Sequence, residues 1–179
     1  MFFKKNRIKE EYENRFQYSP DFHYTEEMEL ILNDHPEELY NLIELFEKED
    51  FIEDKLFLTA LLIKFNYLQV KEFLSEFLQD KDRDKWIKPK SETWRHYEIW
   101  SACNLIKLKD KFGVDFIRKT AGDVTEMEGR WIAELLVEND NNSMAVELLN
   151  ELHEKYPLIA KSIDYMKKIY DEDEESSIF

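Results

Sequence analysis

A chain of 179 residues with 40 Asp and Glu against 25 Lys and Arg has a formal charge of −15 at neutral pH, yet 43% of it is hydrophobic and 15% aromatic. That apolar content separates it from acidic disordered chains, and a domain of this length buries about 70% of its unfolded surface without a disulfide or metal staple. The acidic excess argues against free nucleic acid as a main partner, because such binding rests on Lys and Arg neutralising phosphate.

Along the chain the charge is uneven. Residues 1–20 hold five basic and three acidic side chains, and residues 21–80 hold four and 16. Residues 81–122 reverse the balance with 11 and six, and 123–179 return to five and 15. A basic middle between two acidic flanks points to a basic protein as partner, steered in by the field of the flanks.

The first 20 residues are expected to form a separate segment with room to be flexible, ahead of a single helical domain at 21–170. Lys4, Lys5 and Arg7 follow only two apolar residues, so the start lacks the apolar stretch of a secretion signal. From residue 25 onward apolar residues recur at helical spacing and no stretch alternates with period two, which makes the fold class all-α. Helices are expected near 25–33, 35–48, 52–66, 69–79, 92–110, 113–121, 125–138, 142–155 and 158–170.

Several starts are marked by an acid or hydroxyl followed three residues later by Glu. Asp34 precedes Glu37 with Pro36 between them, Asp50 precedes Glu53, and Asp123 or Thr125 precedes Glu126 or Glu128. Short loops make neighbouring helices antiparallel. The run "LFLTALLIKF" is broken by Lys64 and is too short to cross a bilayer. Leu62 within it is an expected core residue.

The stretch "DKDRDKWIKPKSE" at 80–92 ends the helical pattern; Trp86 is expected to cover the edge of the core with lysines extending around it, the other reading being a loop that carries function with Trp86 and Ile87 as its apolar anchor. After it, the segment 92–110 is apolar on most sides, so it is expected to be the central and most buried helix, with Trp100 in the core. The single cysteine, Cys103, lies in this run and is expected to be buried, which fits a reducing compartment and a cytoplasmic protein.

"ALLIKFNYLQVKEFLSEFL" at 60–78 is similar to "AELLVENDNNSMAVELLNELH" at 133–153, which suggests stacked helical hairpins of α-solenoid type. The competing reading is that any two amphipathic hairpins look alike.

Motifs for chemistry are absent. Gly113, Gly122 and Gly129 are isolated, so no phosphate cradle exists, and Gly113 and Gly122 read as helix stops. His23, His35, His96 and His153 include no pair at zinc-binding helical spacing. His96 and Cys103 stand two turns apart, too far for a thiol and base to share a hydrogen bond. The sequence therefore predicts no cofactor, no metal and no catalytic residue.

What remains is an acidic ridge: Glu37, Glu38, Glu44, Glu47, Glu49, Asp50, Glu53 and Asp54 fall within 18 residues on two helices. Part of it is the solvated face of amphipathic helices. The functional reading takes Glu37, Tyr40, Glu44, Glu47, Asp50 and Asp54 as a partner-binding surface, with Tyr40 as the anchor and the carboxylates setting rate and specificity.

Small size, strong acidity, stacked helical hairpins and no catalytic motif together resemble the helical immunity proteins of bacterial toxin systems. The resemblance implies a non-enzymatic protein that occludes a basic toxin surface by mass action, and it transfers no residue as a contact. The hairpins are also loosely similar to HEAT repeats, although the Asp in the turn and the basic residue in the second helix are not regularly placed. Two other classes remain open: a phage or plasmid anti-defence protein mimicking nucleic acid, and a helical enzyme without a motif.

At the C-terminus, Asp171 to Glu175 are expected to oppose extension of the preceding helix and to leave 171–179 as a disordered, solubilising tail. "DEDEESSIF" distantly resembles the acidic tip of bacterial single-stranded DNA-binding proteins, without the Pro before the final Phe.

Overall fold

The computed structural model describes residues 6–14, 26–80 and 92–176, apart from the side chains of 92–94 and 171–176. Among these residues the protein is all-α, with ten helices and no strand. They are α1 (Arg7–Asn14), α2 (Glu26–Asp34), α3 (Leu39–Lys48), α4 (Ile52–Lys64), α5 (Val70–Gln79), α6 (Glu92–Lys107), α7 (Lys111–Thr120), α8 (Glu126–Val137), α9 (Ser143–Lys155) and α10 (Pro157–Ser176). Short 3-10 turns at Pro36–Glu38 and Ala121–Asp123 precede α3 and follow α7. The chain divides into two compact units, Met1–Val70 and Lys71–Phe179.

In the first unit α1 packs on α2 and α3, and α3 packs on α4. Ile8, Met28, Leu32, Leu42, Leu56, Leu58, Leu61 and Leu62 form its fully buried core. Leu62 is thus where the sequence reading places it. Helix α4 is apolar on most sides and buries Ile52, Leu56, Phe57, Leu58, Thr59, Leu61, Leu62 and Ile63. The one polar side chain in that set, Thr59, satisfies its hydroxyl by donating to the Lys55 carbonyl at 2.8 Å.

Helix α1 is an element that the sequence reading does not place. Its start is held from 30 residues away, by the buried carboxylate of Glu38, which meets the Arg7 and Ile8 N–H groups at 3.5 and 3.4 Å. Asn41 donates its side-chain amide to the same carboxylate at 2.8 Å. A negative charge on two unpaired helix-start donors is favourable twice, as hydrogen-bond acceptor and as counter-charge to the helix dipole. Asn6 completes the cap by accepting from the Lys9 N–H at 2.8 Å.

In the second unit α6 packs on α7, α8 and α9, and α10 packs on α8 and α9. Ile99, Ala102, Leu105 and Ile106 of α6 are fully buried, as the central position requires. Two parts of the expectation need correction. Trp100 is only half-buried, because the positions α6 turns inward are 97–99, 101–103, 105 and 106. And α6 is not alone in being buried on most sides, since α4 plays the same part in the first unit.

Gly113 is also corrected: it lies inside α7 and does not stop a helix. A Cβ at Gly113 would stand 2.3 Å from the Ala102 carbonyl oxygen and 2.9 Å from Leu105 Cβ, so its missing side chain is what lets α7 lie against α6. Gly122 lies in the 3-10 turn that follows α7, and a Cβ there would meet nothing closer than 3.7 Å.

Helices α4 and α6 end earlier than the apolar period suggests, and for the same reason. Asn66 and Lys109 both adopt φ 60°. Around them run matching pairs of hydrogen bonds: Tyr67 N–H to Leu62 O and Asn66 N–H to Ile63 O, then Asp110 N–H to Leu105 O and Lys109 N–H to Ile106 O. This is the Schellman stop, which satisfies the last carbonyls and turns the chain away. The end of α8 differs, with Asn139 N–H on Leu136 O and Asp140 N–H on Val137 O and no positive φ at either residue. The two segments that look alike in sequence, 60–78 and 133–153, therefore do not share a turn.

At the other boundary, α10 continues through Asp171–Glu175 to Ser176, beyond the expected end at 170. Glu is a good helix former and extending an existing helix costs far less than starting one, so the mutual repulsion of the acids does not end it. Trp86 and Ile87, and residues 177–179, lie outside the described residues.

Candidate protein-binding surface

Helix α3 is amphipathic: Leu42 and Phe46 face the core, and the opposite side carries Tyr40, Glu44 and Glu47 at positions i, i+4 and i+7. Glu37, in the 3-10 turn just ahead, continues this stripe by one turn. Tyr40 is 73% exposed, the most exposed large apolar side chain among the described residues. Phe51, between α3 and α4, is 66% exposed. It occupies the residue before the first turn of α4 with extended backbone, one position off the inward-facing Ile52 and Leu56.

The carboxylates of the ridge do not act alike. Glu47 and Asp50 are exposed, and Glu37 is exposed beside His35 Nδ1 at 3.6 Å. Glu44 pairs with Lys48 one turn on, which holds its carboxyl below the ordinary range and the Lys48 ammonium above its own. Asp54 is half-buried in the first turn of α4, where an acid favours the helix start. Glu38 faces inward, and Glu49 accepts from the Tyr12 hydroxyl and from the Phe51 N–H at 2.9 Å.

Of the sequence-predicted residues, then, Glu37, Tyr40, Glu44 and Glu47 share one stripe, Asp50 follows it on the connector, and Asp54 belongs to the next helix. Phe51 is the residue that sequence reasoning misses. Its signal was its place off the apolar period of α4.

Elsewhere several reactive or charged groups are held within the fold. Cys103 is 2% exposed, and burial, helped by the Glu138 charge, pushes its thiol far above the ordinary range. His96 stacks on Trp131 with ring centroids 4.4 Å apart. Arg95 bridges the Asp123 carbonyl, Glu98 and Glu128, beside the capping box formed by Thr125 and Glu128. Among the described residues no group of three His, Cys, Asp or Glu side chains is gathered to hold a metal ion, and no helix is long and apolar enough to cross a membrane. In comparisons with known proteins, no family, no curated protein and no solved structure matches this chain.

Proposed function

We propose that this protein is a non-catalytic binding protein that captures a basic protein partner on the outer stripe of α3. The observation that carries this reading is the placement of a 73% exposed Tyr40 in line with Glu37, Glu44 and Glu47, with exposed Phe51 in the connector that follows the helix. Exposed aromatic side chains supply desolvated contact area at small entropic cost, and a surrounding ring of carboxylates speeds encounter with Lys and Arg and selects for them.

The partner class that best suits a small, strongly acidic helical protein is a toxin whose working surface is basic, which makes this an immunity protein. Nucleic-acid mimicry is the weaker reading. It needs an unbroken track of free carboxylates, whereas Glu38 and Glu49 are used inside the fold and Glu44 is matched by Lys48.

The test is differential affinity capture from the native host, with the wild-type chain and a Tyr40→Ala/Glu47→Lys variant as baits. The reading expects a basic protein retained by the first and lost by the second. Identical retention by both baits would overturn it.

A further inference from the structure

Helices α8 and α10 enclose a cleft of about 350 Å³ lined by Glu126, Arg130, Leu158, Lys161, Ser162 and Tyr165. They come close here because Gly129 has no side chain: a Cβ on it would stand 3.0 Å from Leu158 Cδ2 and 3.5 Å from Ile159 Cγ1. Leu158, Lys161, Ser162 and Tyr165 recur at helical spacing along one side of α10, and Glu126 and Arg130 are one turn apart on α8. Leu158 is 42% exposed and Tyr165 52%, with Met127, 57% exposed, next to Glu126 in α8.

Two cations and one acid give the cleft a positive lining. Of the four described arginines, Arg7, Arg95 and Arg118 reach carboxylates. Arg130 instead lies over the Tyr165 ring, 5.5 Å from its centroid, and among the described residues neither Arg130 nor Lys161 forms an ion pair. In a chain of charge −15 with acids in excess, an arginine outside any ion pair, with Lys161 and exposed apolar side chains beside it and Glu126 as the one acid of the lining, leaves this cleft with a net positive charge.

We propose that the α8–α10 cleft is a docking site for a segment of a partner protein that carries an aspartate or glutamate beside a bulky apolar side chain. The incoming carboxylate bridges Arg130 and Lys161, and the apolar side chain covers Leu158 and Tyr165. Stacking on Tyr165 restrains the Arg130 guanidinium, so its fork meets a carboxylate with less entropy to lose. Glu126 rejects a second carboxylate at its own position, which fixes the direction of the segment. Its volume is at the low end of the roughly 300–1,000 Å³ of small-ligand sites, but those bury most of their ligand, whereas this cleft is open along Leu158 and Tyr165 and suits side chains of a segment that runs on past it. The charge preference is opposite to that of the α3 stripe, so the two surfaces are independent.

The experiment is a titration of the full, ¹⁵N-labelled chain with a blocked tetrapeptide of glutamate, leucine, glutamate and phenylalanine, and with its glutamine counterpart. Expected are amide shifts confined to α8 and α10, and binding of the glutamate peptide at least about tenfold tighter than the glutamine one. Arg130→Gln with Lys161→Gln, at unchanged circular dichroism, should remove that difference. Equal binding of the two peptides, shifts elsewhere, or no shift with the glutamate peptide would overturn the proposal. Hexanoate binding as tightly as the peptide would give the cleft to small carboxylates and overturn it too. Self-association that Arg130→Gln abolishes would give it to a second copy, with the same consequence.

Discussion

The side chain of Asn142 donates to the Ile106 carbonyl at 2.7 Å while its oxygen accepts from the Met144 N–H at 3.0 Å. One buried residue thus gives the Ile106 carbonyl, 36 residues away and already accepting from the Lys109 N–H, a second bond at the end of α6, and caps the start of α9. Asn142→Ala removes these bonds, together with a longer one from the same amide to the Lys107 carbonyl at 3.4 Å, and should cost about 2–3 kcal/mol in urea denaturation. Asn142→Ser keeps the cap but cannot reach Ile106, and should lose about half as much. Equal losses in the two variants would mean that the bond to α6 contributes nothing.

Lys109 holds φ 60° at the Schellman stop of α6, in a conformation that costs a side-chain-bearing residue about 1 kcal/mol. Lys109→Gly should therefore raise stability by about 0.5–1 kcal/mol, although glycine usually lowers it. Asn66, at the same φ, already tolerates this region, so Asn66→Gly should be nearly neutral. Thermal melts of the two variants would separate the effects, and destabilisation by Lys109→Gly would contradict the turn geometry.

Gly113→Ala should be the most damaging of the three glycine-to-alanine changes. The new methyl would meet backbone oxygen at 2.3 Å, which no side-chain movement relieves, so a loss of about 2–3 kcal/mol or more is expected. Gly129→Ala meets the movable end of Leu158 and should cost less, and Gly122→Ala has room. Denaturation midpoints in the order Gly122, Gly129, Gly113, from highest to lowest, would bear this out.

These glycines also show what the sequence made legible. Helical period located nine of the helices, because burial of one face imposes that period directly. Of the expected capping pairs only Thr125 with Glu128 forms: His35 and Phe51, not Asp34 and Asp50, stand at the starts of the 3-10 turn ahead of α3 and of α4. Close approach does not register in a single sequence: nothing in "KFGVDF" says that its glycine touches the Ala102 carbonyl. Helix α1 escaped for a similar reason, since eight residues are too few to be stable alone and its cap, Glu38, comes from another segment.

The α3 stripe was readable from the spacing of Tyr40, Glu44 and Glu47. Which acids the fold uses internally was not, because Glu38 and Glu47 look alike until the chain folds. The α8–α10 cleft was equally hidden, being built from positions about one helical hairpin apart.

Glu151 joins Lys155 at 2.9 Å and Arg118 at 2.8 Å, and these bonds, Lys155 first, hold its carboxyl below the ordinary range. A carboxylate with a lowered folded pKa contributes stability that is present above its unfolded value and is lost as pH falls through the folded one. Stability should accordingly decline below about pH 4, and Glu151→Gln should flatten part of that decline while lowering stability slightly at neutral pH. An unchanged acid profile in the variant would show that the cluster contributes nothing to folding. Because the cluster is solvent-accessible, the effect should also shrink in high salt.

The central claim, capture of a basic partner by the α3 stripe, is tested most directly by association kinetics of the Glu44→Lys/Glu47→Lys/Asp50→Lys variant against the captured partner, across a range of salt. The account predicts wild-type helix content, association slowed at least about tenfold at low salt, and a much weaker salt dependence, since the charges that steer the encounter have been reversed. Association at the wild-type rate with the wild-type salt slope would contradict it.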